Sequence, residues 1–452
     1  MRALALSILL IGTVLAGCIG SNSPDDVNVI GAAAPSVPWE GPLDANVTTP
    51  EHVVFASDAK RRADVVAPGA PQFAVFDELM ADFVEQKGLQ AAGVAVLRNG
   101  ELRYENGYGW MDEGRSVPTP PDAMFRIASL TKPMTAGLIQ LMAAEGRVSL
   151  DDPLFCIGQD PRPGCQLGIP IHPARPVQDE RVADITLEDT IRHRTGWVRA
   201  DCSMGASEEL QVIAADLGIA APPPAWRKAQ WLMGTPMRFD PGSNPNEGNG
   251  PQDEGLDTYC NMGYTSLALV AEQHFGAPIQ EIMEAYLYRP LEVTGHIEQG
   301  RSLPEDRNPR EPYYPCEYKV ESAVEPGKEV CAPDGGVQVE SLIGSGGLIA
   351  TAAAVGAVYH EFWNDGTPRD DWVYRQPQCH SGGLPSTATT ACRYTQSEGA
   401  SVLGMVEVVV LASGQIGHET PLPDRDLTYE YEGLHADLLS AYVVAEQELD
   451  LP

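Results

Sequence analysis

Strand-like segments stand near the two ends of this chain, and what lies between them reads as helix and loop. Gly93-Val-Ala-Val-Leu-Arg98, the turn Asn99-Gly100, and Glu101 to Gly109 read as a strand, a tight turn and a second strand. Far downstream, Val402 to Ala412 reads as another strand, with Val408 to Leu411 continuously apolar. A lone hairpin is marginal in water, so the two ends must pair into one sheet. Hairpin-linked strands make that sheet antiparallel. Helix-spaced apolar residues mark Gln72 to Lys87, Ser129 to Glu145, Ile185 to Arg194, Asn261 to Phe275, Ile279 to Leu287, Ala350 to Trp363 and Leu434 to Glu448. The expected class is α+β, an α/β sandwich: an antiparallel sheet flanked by helices, with a mainly helical lobe inserted over roughly 147–340. Residues 151–180, 199–256 and 301–340 read as irregular loops, and Arg301 to Val337 as a polar, Pro-rich surface insertion.

The N-terminus reads as an address. After Met1-Arg2, Ala3 to Leu15 is apolar or small. That run is too short for a bilayer span, which needs about 20 residues, and fits a secretory h-region. It ends in Leu15-Ala16-Gly17-Cys18, which resembles a bacterial lipobox. The expectation is a signal peptide over 1–17, lipidation at Cys18, a flexible tether over 18–69 and a folded domain over 70–452. The protein would be exported and held at the cell envelope by its lipid anchor alone. Lys and Arg number 30 against 63 Asp and Glu, a formal charge of −33. A basic footprint is missing, so nucleic acid is not an expected partner.

Lipidation of Cys18 would leave eight of the nine cysteines. In an exported chain these suggest up to four disulfides. Proximity suggests Cys156 with Cys165, Cys316 with Cys331 and Cys379 with Cys392, which leaves Cys202 with Cys260. There is no Cys-x-x-Cys and no His-Glu-x-x-His, so neither a metal nor a cofactor is expected.

The sharpest chemical signal is Phe125-Arg-Ile-Ala-Ser129-Leu-Thr-Lys132. A Ser three residues before a Lys puts both side chains on one helix face. Ser is a poor nucleophile and needs a neighbour to take its proton; a buried Lys of lowered pKa can do so. Ser57-Asp-Ala-Lys60 has the same spacing, but no apolar helix follows it. Ser-x-x-Lys is the nucleophile motif of penicillin-binding proteins and serine β-lactamases.

Partners follow in order. Arg238-Phe-Asp-Pro241-Gly242 and Asp257-Thr-Tyr259-Cys-Asn261-Met-Gly-Tyr264 resemble the Phe-x-Pro-Gly and Tyr-Ser-Asn-x-Gly-Tyr stretches of class C β-lactamase-like proteins. Tyr104-Glu-Asn106 also fits the shorter pattern, but its hairpin context makes it structural. Thr186 to Trp197, with His193 read as structural, Tyr286 to Gly295, and Gly344-Ser-Gly-Gly347-Leu-Ile-Ala-Thr351 resemble further landmarks. The chain is thus similar, over roughly 72–450, to the penicillin-recognising superfamily of class C β-lactamases, D,D-peptidases and family VIII esterases.

That resemblance implies Ser129 as nucleophile, Lys132 and Tyr259 as its proton acceptors, and Asn261 as a substrate amide ligand. The Lys-Thr-Gly element of true class C β-lactamases is missing. His380-Ser381-Gly382-Gly383 stands in for it, like the His-Thr-Gly of some D,D-peptidase-like members, and the backbone N–H groups of Ser129 and Gly383 would form the oxyanion hole. A His is charged only partly near neutral pH, which disfavours β-lactamase activity. The expectation is acyl transfer through a Ser129 acyl-enzyme on a small-molecule, short-peptide or ester substrate. D,D-peptidase-like amide hydrolysis comes first, then a carboxylesterase, then a β-lactamase; a lipoprotein that is acylated slowly or inactive and serves as a binding module is the non-enzyme alternative.

Overall fold

The structure, a computed structural model, describes residues 65–155, 173–243, 245, 257–362, 366–367, 378–394, 405–414 and 427–449. Contacts divide the chain into residues 1–37, which lie outside those described, and residues 38–452, to which everything below belongs.

The two ends of the chain meet in one sheet. β1 (Ala91–Arg98) pairs antiparallel with β2 (Glu101–Gly109) on one side and with β10 (Val406–Ser413) on the other. Beyond β10 come β9 (Thr387–Tyr394) and, at the edge, β8 (Gln378–Leu384), giving the order β2-β1-β10-β9-β8. Side chains alternate across the pleat, and both faces are covered. Val94, Val96, Val408 and Val410 enter a core that also holds Phe76 and Met80 of α1 (Ala74–Lys87) and Leu438 and Tyr442 of the C-terminal α10 (Leu427–Leu449). Ala95, Leu97, Val409 and Leu411 enter a second core shared with α2 (Thr131–Ala144) and α9 (Ala352–Glu361). Burial on both faces explains why Val408 to Leu411 is continuously apolar instead of alternating.

Between β2 and β8 lies the lobe. Two residues of β3 (Phe125–Arg126) pair with β7 (Leu348–Ala350), which also pairs with β4 (Ile297–Gln299). Helices fill much of the rest: α3 (Leu187–Ile191), α4 (Arg199–Cys202), α5 (Ser207–Leu217), α6 (Ala225–Leu232), α7 (Asn261–Phe275) and α8 (Ile279–Met283). Glycines with left-handed φ end α1, α5 and α7 at Gly88, Gly218 and Gly276, the usual C-terminal stop.

Three differences from the sequence reading matter. Residues 199–256 are not loop throughout, because α4, α5 and α6 lie within them. Leu210, Ile213 and Ala214 of α5 are buried, and their spacing is helical. Residues 301–337, which carry the short antiparallel pair β5 (Lys319–Glu321) and β6 (Glu329–Cys331), do not simply lie on the surface. Tyr314 is fully buried against Arg126, whose guanidinium carbon is 4.5 Å from the ring centroid. Arg126 donates to the carbonyls of Pro333 (2.9 Å) and Arg301 (3.0 Å), so the insertion is fastened to the strand that leads to Ser129. The hairpin of β8 and β9 was absent from the sequence reading altogether.

The disulfides Cys202–Cys260, Cys316–Cys331 and Cys379–Cys392 are formed. Cys156 and Cys165 fall outside the described residues, as do Cys18, the signal segment and nearly all of the tether.

Candidate active site

Ser129 sits in a 3-10 turn, Ala128–Leu130, that runs directly into α2. Lys132, one turn on, is buried, and its Nζ lies 3.0 Å from Ser129 Oγ and donates to the Ser345 carbonyl at 2.6 Å. Among the described residues no carboxylate bonds to this amine. Burial therefore pushes the Lys132 amine well below its ordinary range, and the Arg199 charge adds to the effect. Ser345 belongs to the Gly344–Gly347 segment, wedged between α2 and α7. Thr135 Oγ1 of α2 donates to the Gly344 carbonyl at 2.8 Å, and Thr265 Oγ1 of α7 to Ser345 Oγ at 3.1 Å. Gly344 has φ +69, and a Cβ there would stand 2.6 Å from the Tyr264 carbonyl, so only glycine fits.

Tyr259 comes from the segment before α7. Its hydroxyl shares a hydrogen bond with Ser129, and its ring centroid is 4.7 Å from Lys132 Nζ. Burial pushes the phenol up to about 12, with the Ser129 bond and Arg199 opposing. At neutral pH the phenol therefore keeps its proton. Asn261, two residues on, is the first residue of α7 and half-buried.

His193 stacks on Tyr259 with ring centroids 4.3 Å apart, and its Nδ1 accepts the Cys260 N–H at 3.0 Å. Burial pushes it well below the usual histidine range, so it stays neutral. The structural role expected for His193 has this concrete form: it holds the ring of Tyr259.

The fourth element approaches from the sheet edge. His380 on β8 places Nε2 3.0 Å from the Ser129 carbonyl, and burial takes its imidazole down to about 4. A neutral imidazole then donates Nε2–H to that carbonyl. Gly382 packs so closely that a Cβ would meet the Ile127 carbonyl at 2.6 Å and the Ser129 N at 2.8 Å. Cys379 and Cys392 face each other across β8 and β9 with Cα atoms 4.0 Å apart, the close spacing of a non-hydrogen-bonded antiparallel pair. By alternation Ser381 and Gly383 are of the same kind, so their backbone groups turn from β9 to the open edge. Gly383 is exposed there.

The structure thus brings Ser129, Lys132, Tyr259, His380 and Gly382 together, with Asn261, Ser381 and Gly383 on the flanking elements. Arg199 and Ser345 also belong to the cluster and were assigned no role from sequence. A cavity of about 620 Å³ lined by Gln280, Glu284, Arg289, Glu298 and Arg301 holds none of these residues. The chemistry, not the cavity size, marks the site.

Comparison with known proteins gives the family and the fold. The beta-lactamase family model matches residues 76–404. The chain belongs to that family. Among curated proteins it is 24% identical over 236 residues to the esterase EstB of Burkholderia gladioli, covering 50% of this chain and 51% of EstB. It is 25% identical over 232 residues to a probable fimbrial assembly protein FimD of Dichelobacter nodosus, covering 51% and 49%. The matches thus span about half the length of these relatives. Among solved structures, the D-amino acid amidase of Ochrobactrum anthropi SV3 superposes with TM-score 0.55 at 14% identity over 83% of this chain and all of the amidase. A beta-lactamase/D-alanine carboxypeptidase from Yersinia pestis gives TM-score 0.51 at 17% identity over 82% and 100%. These likenesses establish the β-lactamase/transpeptidase fold, and the family is one of serine hydrolases.

Proposed function

We propose that this hydrolase transfers an acyl group from a small, uncharged ester or amide to Ser129 and then to water. The observation that carries the reading is the buried Lys132 amine 3.0 Å from Ser129 Oγ, with no carboxylate among the described residues bonded to it. A neutral amine in that position takes the serine proton as Oγ attacks the carbonyl carbon. Tyr259 passes the proton to the leaving alkoxide or amine. The N–H groups of Ser129 and Gly383 hold the oxyanion, each donor being worth about 2.7–4 kcal/mol in comparable sites. Asn261 holds the substrate amide or ester dipole.

His380 separates the candidate substrates. The resemblance puts a fixed cation at this strand position in true β-lactamases, where it meets a substrate carboxylate. Here the imidazole is neutral and bonded to Ser129. That favours esters and amides without a carboxylate, in keeping with the EstB relationship, over β-lactams. A D,D-peptide with a free carboxylate is the second reading, and the Arg199 guanidinium beside Tyr259 favours it. The test compares a p-nitrophenyl ester, a capped D-Ala-D-Ala peptide and its C-terminal amide, with Ser129→Ala as control. Preference for the amide over the acid supports the first reading; a better kcat/KM for the acid supports the second. Turnover that survives in Ser129→Ala rejects both.

The same proposal places the protein outside the cytoplasm on a Cys18 lipid anchor. The Leu15-Ala-Gly-Cys18 pattern and the disulfides, which need an oxidising compartment, support this. Labelling with a clickable fatty acid, lost in Cys18→Ala, is the expected result.

A further inference from the structure

Ser129 and Lys132 ride on a packed helix, whereas Tyr259 does not. Residues 257–260 form neither helix nor strand. What holds them is α4. The Arg199 N–H donates to the Asp257 carbonyl at 2.7 Å, and the Arg199 Nε pairs with Asp257 Oδ2. Asp257 Oδ1 in turn accepts the Tyr259 N–H at 3.0 Å. The guanidinium carbon lies 4.4 Å from the Tyr259 ring centroid. At the other end of α4, Cys202 is disulfide-bonded to Cys260. One four-residue helix therefore grips the tyrosine segment on both sides of the phenol.

We propose that Arg199 is a positioning residue for the acyl transfer: clamped by Asp257, it holds the Tyr259 ring against Lys132 and keeps a permanent positive charge beside the pair that takes the serine proton. The inference rests on the assignment of Ser129, Lys132 and Tyr259 above. A guanidinium suits the task because its flat face stacks on a ring while its edge bonds a carboxylate. The charge acts in a definite direction. A positive neighbour disfavours protonation of the Lys132 amine and so widens the pH range in which the base is free.

The other groups around the pair do not provide that charge. His193, from the turn after α3, and His380, from β8, are both held neutral by burial. Tyr264 of α7 offers a ring 5.8 Å from Lys132 Nζ, and Ser345 a carbonyl. Tyr359 of α9 is a buried phenol that burial keeps protonated. Asp257 is the acidic neighbour, and it is tied to Arg199 itself.

The test measures kcat and KM against pH for full-length wild type, Arg199→Gln, Arg199→Lys and Ser129→Ala, using an uncharged p-nitrophenyl ester. Arg199→Gln should lower kcat about tenfold with KM changed less than about threefold. Its acid limb should move up by about half a pH unit, because Lys132 then holds its proton to higher pH. Arg199→Lys keeps the charge and should return the limb to the wild-type pH while recovering only part of kcat. A limb unmoved in Arg199→Gln overturns the proposal, whether or not kcat falls, since a merely structural arginine would lower kcat and thermal midpoint together without moving the limb. If Arg199→Gln does not fold, a limb displaced in Arg199→Lys overturns it equally. Loss of turnover in Ser129→Ala beside an unmoved Arg199→Gln limb fails this inference alone. Turnover retained in Ser129→Ala fails the underlying assignment.

Discussion

His380 Nε2 stands 3.0 Å from the carbonyl oxygen of Ser129, so the imidazole is bonded to the nucleophile's own backbone. That contact fixes its tautomer, because Nε2 must carry the hydrogen. It also sets its pH behaviour. With the ring taken down to about 4 by burial, His380 stays neutral across the working range. The acid limb of kcat/KM should therefore not lie at the ordinary histidine value of about 6.5. His380→Gln, whose amide reaches the same carbonyl, should stay within about threefold of wild type, whereas His380→Ala should lose about tenfold, the effect of one hydrogen bond of about 1–1.5 kcal/mol. Equal losses in both variants would show that the bond to Ser129 is not what His380 contributes.

Of the three disulfides among the described residues, two adjoin the site and one does not. Cys260 follows Tyr259, and Cys379 precedes His380, whereas Cys316–Cys331 closes a 15-residue span in the 301–337 insertion. Each bridge is expected to contribute about 2–4 kcal/mol to stability. Replacing both cysteines of Cys202–Cys260 by Ala should lower stability and also kcat, since the Tyr259 segment loses one of its two fastenings to α4. Replacing Cys316 and Cys331 by Ala should lower stability with kcat within about twofold of wild type. Thermal midpoints and ester turnover, measured on the same preparations, separate the two effects.

Lys228 of α6 predicts a pH-dependent stability. It is fully buried and donates to the Met204 carbonyl (3.1 Å) and to Ser341 Oγ (2.7 Å), and burial takes its amine down to about 7. Between that value and the ordinary 10.5, the unfolded chain binds a proton that the folded chain does not. Stability from this group is therefore complete above 10.5, falls as pH drops toward 7, and is lower at neutral pH. Lys228→Met removes that slope. From pH 7 to 9.5, wild type should gain about 2–3 kcal/mol relative to the variant in urea unfolding. A constant difference between the two would contradict the assignment.

How much of this was legible in the sequence follows from what each element depends on. Ser129 and Lys132 could be read because their spacing and the apolar helix behind them are local facts, and Tyr259 because Tyr259-Cys-Asn261-Met-Gly-Tyr264 resembles a family motif. The antiparallel sheet could be inferred because its terminal strands have no other partner. The hairpin of β8 and β9 was missed although Pro385-Ser386 is a turn pair and Thr387 to Tyr394 is rich in Thr. Gly382 and Gly383 weaken the strand pattern of β8. Helix α5 was legible in principle, since Leu210, Ile213 and Ala214 keep the period, but it lay among Pro- and Gly-rich neighbours. Arg199 could not have been found. Its role depends on Asp257, 58 residues away, and nothing in the local sequence distinguishes it from any exposed arginine.

Everything proposed for this site depends on acylation of Ser129. The most direct measurement is rapid-quench intact-mass analysis of the full-length chain during turnover of a p-nitrophenyl ester, followed by peptide mapping. A transient mass gain equal to one acyl group is expected on the peptide containing Ser129, absent in Ser129→Ala together with turnover. Ester hydrolysis that persists in Ser129→Ala, or an acyl group mapped to another residue, would contradict it.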